Sequence, residues 1–258
     1  MGIEIPPARW SEFEPRLGIG LHRILRLLAR ANGHGTFFVL GAVTEKHPDL
    51  VSEIAAAGHE LGSHGWSHAK VYDLSPARFE DEVARTDALL EQISGQKPVG
   101  FRSAYFSITE RSLWALDVLK EHGYLYDASI YPGPNYRYGI PGSSSTVHRL
   151  ENGLVEFPVS TFSLLNRRIG LGGAYLRILP LQVTDRAIRR RLSDGEPSAL
   201  YLHPWEFDPR HPVTRFPFKA MATHYYGLSS TRRKVERLLE RYPVIPMRDV
   251  LRDLGWLD

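Results

Sequence analysis

The chain has 258 residues, of which 43% are hydrophobic and 24% are charged, and this average usage excludes a disordered or fibrous protein. It contains no cysteine, which excludes disulfides, thiolate catalysis and Cys-ligated zinc, so that any metal must bind His, Asp or Glu. The net charge is +3, and the densest basic runs, 189–191 and 232–234, have helical periodicity. We interpret these runs as solvated helix faces and expect no nucleic-acid partner.

The chain shows no feature of a membrane protein. Its apolar runs are too short for a transmembrane helix, and its start lacks the basic, apolar and small-residue pattern of a signal peptide. We therefore expect no membrane span, and the missing signal favours a cytoplasmic location. No repeat or linker divides the chain, so we expect one domain over residues 1–258.

Short β-rich runs alternate with amphipathic helices along the chain. Strands are predicted at 36–40, 60–63, 99–102, 124–127, 154–159, 199–203 and 244–246. Helices are predicted at 17–31, 48–57, 76–94, 110–122, 181–192, 230–241 and from 248. This alternation indicates an α/β fold with a mostly parallel sheet, either a barrel or a doubly wound sheet.

Two further segments are candidate substrate contacts. Residues 131–149 are rich in Gly, Pro, Ser and Tyr, and we predict a long surface loop there, because loops of this length are often functional. Tyr225-Tyr226 is the second candidate.

Polar side chains follow several of the predicted strands. The carboxyl ends of parallel strands form one rim in α/β folds, and chemistry is built at that rim. Core packing does not explain titratable groups at several strand ends, so we predict a site among them. The residues concerned are His64, His68, Arg102, Tyr105, Asp127, Ser129, His203, Trp205 and Glu206.

His64 and His68 are spaced four residues apart, so on a helical turn both imidazoles share a face and can bind one divalent ion. With 11 histidines in 258 residues, chance alone gives about half of one such pair. Read alone, the spacing is compatible with a ligand pair and equally with a coincidence on the surface.

Four motifs occur together in a familiar order. Together they resemble the second to fifth motifs of the NodB-homology polysaccharide deacetylases, carbohydrate esterase family 4, and most closely the exosortase-associated (PEP-CTERM locus) branch. The resemblance covers about residues 9–250, with supporting stretches at 35–41, 108–132 and 200–209. The motifs are Ser63-His64-Gly65-Trp66-Ser67-His68, Phe101-Arg102-Ser103-Ala104-Tyr105-Phe106, Tyr126-Asp127-Ala128-Ser129 and Leu202-His203-Pro204-Trp205-Glu206.

The resemblance implies a metal-dependent hydrolase that removes N-acetyl groups from an N-acetylhexosamine polysaccharide, as in exopolysaccharide biosynthesis. The implied fold is a distorted (β/α)7-type barrel of about seven strands. The implied cofactor is a divalent metal, foremost Zn, with Co, Mn or Ni as substitutes. The implied partner is an N-acetylated polysaccharide or oligosaccharide.

The resemblance also implies roles for individual residues around the metal. His64 and His68 would be metal ligands, and the backbone N–H of Tyr105 would stabilise the oxyanion. Trp205 would contact substrate. Trp66 and Trp205 can each be read instead as core aromatics, and we expect at least one of them to be so.

The implied acid–base residues are His203, Asp127 and Arg102. His203 would be the general acid that protonates the leaving amine, Asp127 would hold His203, and Arg102 would orient the carboxylate base. Each has another reading from the residues alone: a structural histidine for His203, a turn cap for Asp127 and a strand-end salt bridge for Arg102.

The chain departs from the family pattern at its start. The family's first motif is a pair of aspartates that supplies the catalytic base and the third metal ligand, whereas no Asp precedes Asp49 here. We therefore expect a barrel that lacks its first strand, a weaker metal site, lower activity and self-association through the open edge. Glu4, Glu12 and Glu14 are candidate substitute carboxylates, although nothing in their spacing supports this role.

A second departure is Ala104, where the family usually has Pro.

Three readings of the whole chain remain open. The chain is a deacetylase whose start is trimmed; or it is a weak enzyme or glycan-binding pseudoenzyme of the same fold; or it is a binding protein with a basic surface.

Overall fold

The structure is a computed structural model that describes residues 16–134, 138–165, 167–211 and 223–258. Its helices are α1 Leu17–Arg30, α2 Gly41–Lys46, α3 Pro48–Ala56, α4 Pro76–Ser94, α5 Trp114–Glu121, α6 Gly173–Ile178, α7 Leu181–Ser193, α8 Leu228–Leu239 and α9 Met247–Asp253. Its strands are β1 Thr36–Val39, β2 Glu60–Ser63, β3 Gly100–Phe101, β4 Tyr126–Asp127, β5 His148–Arg149, β6 Val155–Glu156, β7 Thr161–Leu164 and β8 Arg167–Gly170.

The chain divides into two compact units. The first contains the described parts of 1–33 and 169–244, and the second contains those of 34–168 and 245–258. The expectation of one domain over 1–258 stays a prediction.

The second unit contains a six-stranded sheet in the order β1-β2-β3-β4-β6-β5. Neighbouring strands pair in parallel except β5, which runs antiparallel to β6. The parallel register brings the carboxyl ends of β2, β3 and β4 to one edge of the sheet. The predicted α/β class with a mostly parallel sheet is therefore confirmed in this unit.

Helix α4 shows why local sequence signals were informative. The Ser75 hydroxyl accepts a hydrogen bond from the Arg78 amide at 3.3 Å, with Pro76 at the first helical position. Gly95 ends the helix in the left-handed conformation at φ 73°. Both ends match the predicted bounds, because the N-cap hydroxyl and C-terminal glycine satisfy terminal backbone groups locally.

Glu60 joins several elements of the second unit. Its side chain is buried and accepts hydrogen bonds from Thr36 Oγ1 on β1 (2.6 Å), Tyr126 OH on β4 (3.0 Å) and the Arg248 amide at the start of α9 (3.1 Å). A carboxylate at a helix N-terminus interacts favourably with the helix dipole. Glu60 therefore fixes α9 to the amino-terminal end of the sheet.

In the first unit, α1 packs closely on the turn Pro204–Phe207. A Cβ atom on Gly20 would lie 1.9 Å from the Pro204 carbonyl oxygen, so only glycine permits this contact. Arg16 binds both carboxylate oxygens of Asp208, at 2.6 and 3.0 Å. The glycine contact and the ion pair hold the turn that follows His203 against α1.

Two predicted strands are absent from the described chain. Over 199–203 only Tyr201 pairs, in a single bridge with Gly172. The pairing stops there because the segment that contains Gly172 leaves the extended conformation at this residue (φ 130°) and enters α6. Residues 244–246 form no strand, since Pro246 has no amide hydrogen to donate and directly precedes α9.

The predicted loop 131–149 is described apart from 135–137. It contains the ring contact of Tyr131 with Tyr138 at 5.0 Å and ends in β5. Glu4, Glu12 and Glu14 lie outside the described residues. Across the described helices, none combines the length and apolar character needed to span a membrane.

Asp87 on α4 provides a test of the core of the second unit. Its carboxylate is 4% exposed and accepts a hydrogen bond from Tyr124 OH. Burial raises the pKa of Asp87 to about 6, against the opposing effects of the Tyr124 hydrogen bond and the nearby cations.

Because the pKa of Asp87 is higher in the folded state, the folded state is destabilised as pH rises from about 4 to above 6. We expect Asp87→Asn to remove this dependence. The free energy of unfolding of the variant minus that of the natural chain should rise by up to about 3 kcal/mol over this range. Urea unfolding at several pH values measures it; a constant difference would contradict the assignment.

Candidate active site

The segment His64–His68 follows β2 in the second unit. The His64 amide donates to the Val39 carbonyl oxygen at 2.9 Å, which continues the pairing of β1 and β2 by one residue. Gly65 then adopts φ 71° and turns the chain. The segment is therefore placed by the sheet on one side and by a glycine turn on the other.

One ring nitrogen of His64 is held by the neighbouring strand end. Its Nδ1 bonds to the carbonyl oxygen of Arg102, which follows β3. A carbonyl accepts only, so Nδ1 carries the hydrogen and the lone pair of the neutral ring lies on Nε2. Metal-binding histidines are typically oriented in this way, with the other ring N–H donated to a carbonyl or carboxylate.

The spacing of the two rings tests whether they fit a common ion. The ring centroids of His64 and His68 are 5.3 Å apart in an edge-on arrangement. Two imidazoles bound to one zinc at about 2.0–2.1 Å, at tetrahedral angles, have centroids roughly 5 Å apart. The centroid distance matches that of two ligands on one ion, and the described part of the chain contains no cluster of three or more His, Cys, Asp or Glu that could hold a metal.

Glu82 of α4 holds the middle of this segment. Its buried carboxylate accepts hydrogen bonds from the Trp66 amide (3.2 Å), the Ser67 amide (3.0 Å) and the Ser67 hydroxyl (2.7 Å). The Trp66 ring packs under the Arg85 guanidinium, 3.9 Å away, and against Gly41. Trp66 is half-buried and packs on these neighbours, and the expectation that at least one of the two tryptophans is a core aromatic stays a prediction.

The segment Arg102–Phe106 follows β3 and has an unusual backbone. Five non-glycine residues of the described chain have positive φ, and three of them are His68 (61°), Tyr105 (56°) and Phe106 (53°). Such conformations persist only where the surroundings enforce them, and they cluster at functional sites. The Tyr105 ring lies 4.6 Å from the His68 ring, so the structure brings together His64, His68, Arg102 and Tyr105.

The Arg102 side chain serves the adjacent strand. Its Nε donates to the Ala128 carbonyl oxygen at 3.0 Å, and its guanidinium lies 4.5 Å from the centroid of the Phe38 ring. Arg102 thereby ties the segments after β3 and β4 together.

Asp127, at the end of β4, is fully buried. It accepts hydrogen bonds from the Ser129 hydroxyl at 2.6 Å and the Ser129 amide at 3.1 Å. Glu156 of β6 lies beside it, and burial raises the pKa of both carboxyls. The bonds to Ser129 agree with the turn-cap reading of Asp127.

His203 and Trp205 belong to the first unit, where a carboxylate also binds the histidine. Glu206 Oε2 accepts from the His203 amide at 2.8 Å and contacts His203 Nδ1 at 3.1 Å. Burial alone would raise the pKa of Glu206, but the hydrogen bond from His203 and the charge of Arg177 outweigh it and lower that pKa. Glu206 is therefore an anion that orients His203.

Aromatic rings surround Trp205. The His224 ring stacks on it at 4.1 Å, and the His203 ring lies 5.9 Å away, nearly parallel. Burial, the neighbouring His211 and the Arg177 charge lower the pKa of His224 to about 4, so this ring is neutral at physiological pH. Of the two candidate substrate contacts at 225–226, Tyr225 lies 4.7 Å from His224 and Tyr226 is exposed.

Family models match two parts of the chain. Residues 20–126 match the family model described as polysaccharide deacetylase. The deacetylase match holds the His64–His68 and Arg102–Tyr105 segments. Residues 128–252 match a second model, described as a domain of unknown function (DUF3473), so Glu156, His203 and Glu206 come from a segment of unassigned role.

Individual relatives support the deacetylase match. The chain is 33% identical over 170 residues to the peptidoglycan-N-acetylglucosamine deacetylase of Bacillus cereus, covering 61% of each chain. It therefore spans less than two thirds of that relative's length.

Solved structures of low sequence identity confirm the predicted fold class. A protein from Mycobacterium smegmatis assigned as a polysaccharide deacetylase has a TM-score of 0.63 at 23% identity, covering 94% of this chain and 79% of its own. A CE4 family pseudoenzyme from Bacillus anthracis has a TM-score of 0.52 at 16% identity, covering 90% of this chain and 60% of its own.

Sequence reasoning gave no role to three buried residues of these networks: Glu82, Glu156 and Arg177. Glu82 and Arg177 lie on helices, where a charged residue is normally read as part of the solvated face. Glu206 was singled out as a strand-end residue but not as the partner of His203. The spacing His203-x-x-Glu206 at a Pro-initiated turn was the signal available, because it is that of a capping box.

Arg177 is the centre of the first unit's buried polar network. Its guanidinium donates to Glu206 Oε1 at 2.8 Å and to the carbonyl oxygens of Thr223 (2.9 Å), His224 (2.7 Å) and Tyr226 (3.0 Å). Both charged side chains of the ion pair are buried. Removing one partner would leave an unpaired buried charge.

We expect Arg177→Met to lower the free energy of unfolding by about 3–5 kcal/mol, because the Glu206 carboxylate loses its buried partner. Urea unfolding measures the loss. The matched control is Arg190→Met, whose exposed partner Asp194 lies 2.9 Å away and whose loss should matter by less than about 1 kcal/mol. Equal effects of the two variants would contradict this account.

Proposed function

We propose that the chain is a metal-dependent hydrolase that removes N-acetyl groups from an N-acetylhexosamine-containing glycan. The observation that carries the proposal is the His64–His68 pair, with its rings 5.3 Å apart and His64 Nδ1 bound to the Arg102 carbonyl oxygen. The deacetylase match over 20–126 contains both histidines. Its relatives are named as deacetylases, which supports cleavage of an amide C–N bond.

His64 and His68 would hold a divalent metal, of which Zn²⁺ suits neutral imidazole ligands best, with Co²⁺, Mn²⁺ or Ni²⁺ as substitutes. When bound, such an ion polarises an amide carbonyl and lowers the pKa of a water molecule. The chain's own contribution is to fix the His64 tautomer through the Arg102 carbonyl oxygen. Glu82 contributes by holding the backbone between the two histidines.

His203 is the proposed general acid, because an amine leaves an amide only after it gains a proton. The buried Glu206 carboxylate orients its ring through Nδ1. The holding role expected of Asp127 therefore passes to Glu206 in this proposal.

Tyr105 is proposed to donate its backbone N–H to the oxyanion that forms as the amide is attacked. The left-handed conformation at Tyr105 and Phe106 sets the direction of this amide group. The Arg102 side chain fixes the same segment by its hydrogen bond to the Ala128 carbonyl oxygen. Trp205 is the proposed sugar contact.

The substrate proposal follows the names of the relatives. The Bacillus cereus relative is named for peptidoglycan N-acetylglucosamine, so we propose N-acetylglucosamine units as the first substrates to test. The second family match, over 128–252, is consistent with the exosortase-associated branch. On that basis we also propose a role in exopolysaccharide biosynthesis.

A glycan-binding pseudoenzyme of the same fold is the second candidate. It is favoured by one observation: the described residues provide no group of three metal-ligating side chains. Acetate release from N-acetylglucosamine oligomers, assayed with EDTA and with each of the four metals, distinguishes the two. Metal-dependent release supports the hydrolase, and glycan binding without release supports the pseudoenzyme. Self-association stays a prediction.

We expect His64→Ala and His68→Ala each to lower zinc affinity by at least about tenfold, because each removes one of two imidazole ligands. Metal analysis after dialysis against buffered zinc measures the bound ion. His122→Ala is the matched control, since that histidine faces Glu80 on a helix surface at 3.7 Å. Unchanged zinc in both variants would remove the proposed metal site.

We expect His203→Ala to lower kcat for acetate release by about 10²- to 10⁴-fold while the bound metal stays constant, because only the proton donor is lost. The rate is measured on N-acetylglucosamine oligomers at saturating metal. A variant with the full rate would rule out His203 as the general acid, whatever its effect on KM.

A further inference from the structure

Two fully buried carboxyl groups face each other in the second unit. Asp127 and Glu156 are directly paired in the register of the parallel strands β4 and β6, and neither is exposed to solvent. Neighbouring strands lie about 4.8 Å apart, and side chains at one register position of a parallel pair project from the same face of the sheet, so the two carboxyl groups are neighbours. A pair of carboxylates this close and this dry cannot both be ionised, so the pair shares a proton.

The surrounding donors decide which carboxyl carries the charge. Asp127 accepts from the hydroxyl (2.6 Å) and the amide (3.1 Å) of Ser129. Glu156 receives one hydrogen bond, from the Ile130 amide to Oε1 at 3.0 Å, and no N–H or O–H group among the described residues reaches its Oε2. The negative charge therefore lies on Asp127, and burial beside that charge raises the pKa of Glu156 well above its ordinary value.

The pair is connected to the proposed site through Ser129. Because the Ser129 hydroxyl donates to Asp127, its oxygen accepts, and the Ser103 amide donates to it at 2.7 Å. Ser103 lies between Arg102, whose carbonyl binds His64, and the left-handed turn at Tyr105. The chain of hydrogen bonds thus ends at the backbone that orients a proposed metal ligand and the proposed oxyanion donor.

We propose that Glu156 is a positioning residue: a neutral carboxylic acid that donates a hydrogen bond to Asp127 and, through Ser129, fixes the segment 102–106. This inference rests on the proposed function for its effect on activity. It also gives a role to a residue of the 128–252 segment, which matches a domain of unknown function.

The two carboxyls can be told apart by their amides. In Glu156→Gln the carbonyl still accepts from Ile130 and the NH₂ group still donates to Asp127, so the variant reproduces the neutral acid. In Asp127→Asn an NH₂ group replaces one of the two oxygens that accept hydrogen bonds from Ser129, so one of these two hydrogen bonds is lost. Glu156→Leu removes both hydrogen bonds at similar size.

The first readout does not depend on activity. Hydrogen exchange of the Ser103 amide, measured by NMR, reports whether Ser129 still holds the segment. We expect Glu156→Gln to retain the exchange protection of the Ser103 amide within roughly threefold. Glu156→Leu and Asp127→Asn should each lower that protection by at least about tenfold. The control Asp87→Asn alters a buried carboxyl bound to Tyr124 and, measured near pH 4 where Asp87 is protonated in the natural chain, should leave Ser103 protection unchanged.

The second readout is kcat/KM for acetate release, measured with zinc affinity. We expect little change in Glu156→Gln and a loss of about 10- to 100-fold in Glu156→Leu and Asp127→Asn, the usual range for residues that orient a metal site. The loss should fall mainly on kcat, because the segment aims groups at the reacting amide rather than at remote parts of the glycan.

Two outcomes would overturn the inference. One is that Glu156→Gln loses as much Ser103 protection and kcat/KM as Glu156→Leu, which would mean that Glu156 is ionised. The other is that Asp127→Asn keeps the full Ser103 protection of the natural chain. If Glu156→Leu does not fold, the contrast between Glu156→Gln and Asp127→Asn decides the question. If the natural chain releases no acetate, the hydrolase proposal fails, while the Ser103 measurements still support or overturn the role of Glu156.

Discussion

The hydrogen bond between His64 Nδ1 and the Arg102 carbonyl oxygen joins the ends of two neighbouring parallel strands. The proposed chemistry depends on it, because it selects the tautomer whose Nε2 can bind a metal. Parallel pairing of β2 and β3 makes the bond possible, since both chains leave the sheet at the same edge. The sheet thus selects the His64 tautomer through a backbone carbonyl.

Buried carboxylates reinforce this arrangement by binding the loops that follow the strands. Glu82 holds the amides between the two histidines, and Asp127 holds Ser129, which in turn holds Ser103. Burying each carboxylate costs desolvation free energy, and hydrogen bonds from several donors offset that cost. The segment that matches a domain of unknown function thereby supplies Ser129 and Glu156 to the second unit. In the first unit, Arg177 and Glu206 play a comparable role for His203.

Prediction of the fold from the sequence succeeded where local signals decide the structure. Helix α4 begins and ends at the predicted residues because Ser75 and Gly95 satisfy its ends locally. The predicted strand at 199–203 was wrong, because a strand requires a partner, and the chain at Gly172 offers only one paired residue. Pairing is a property of distant segments, which apolar patterning alone does not specify.

The sequence by itself determined the chemistry available: the His64–His68 spacing, the absence of cysteine, and the order of motifs that resembles the deacetylases. Those features lie in residue identity and short-range spacing, which the chain carries before it folds. Only the tertiary structure decided the partners, namely the Arg102 carbonyl for His64, Glu206 for His203, and Glu156 for Asp127. A proton's position depends on burial and on donors brought from elsewhere in the chain, and these exist only once the strands and turns are in place.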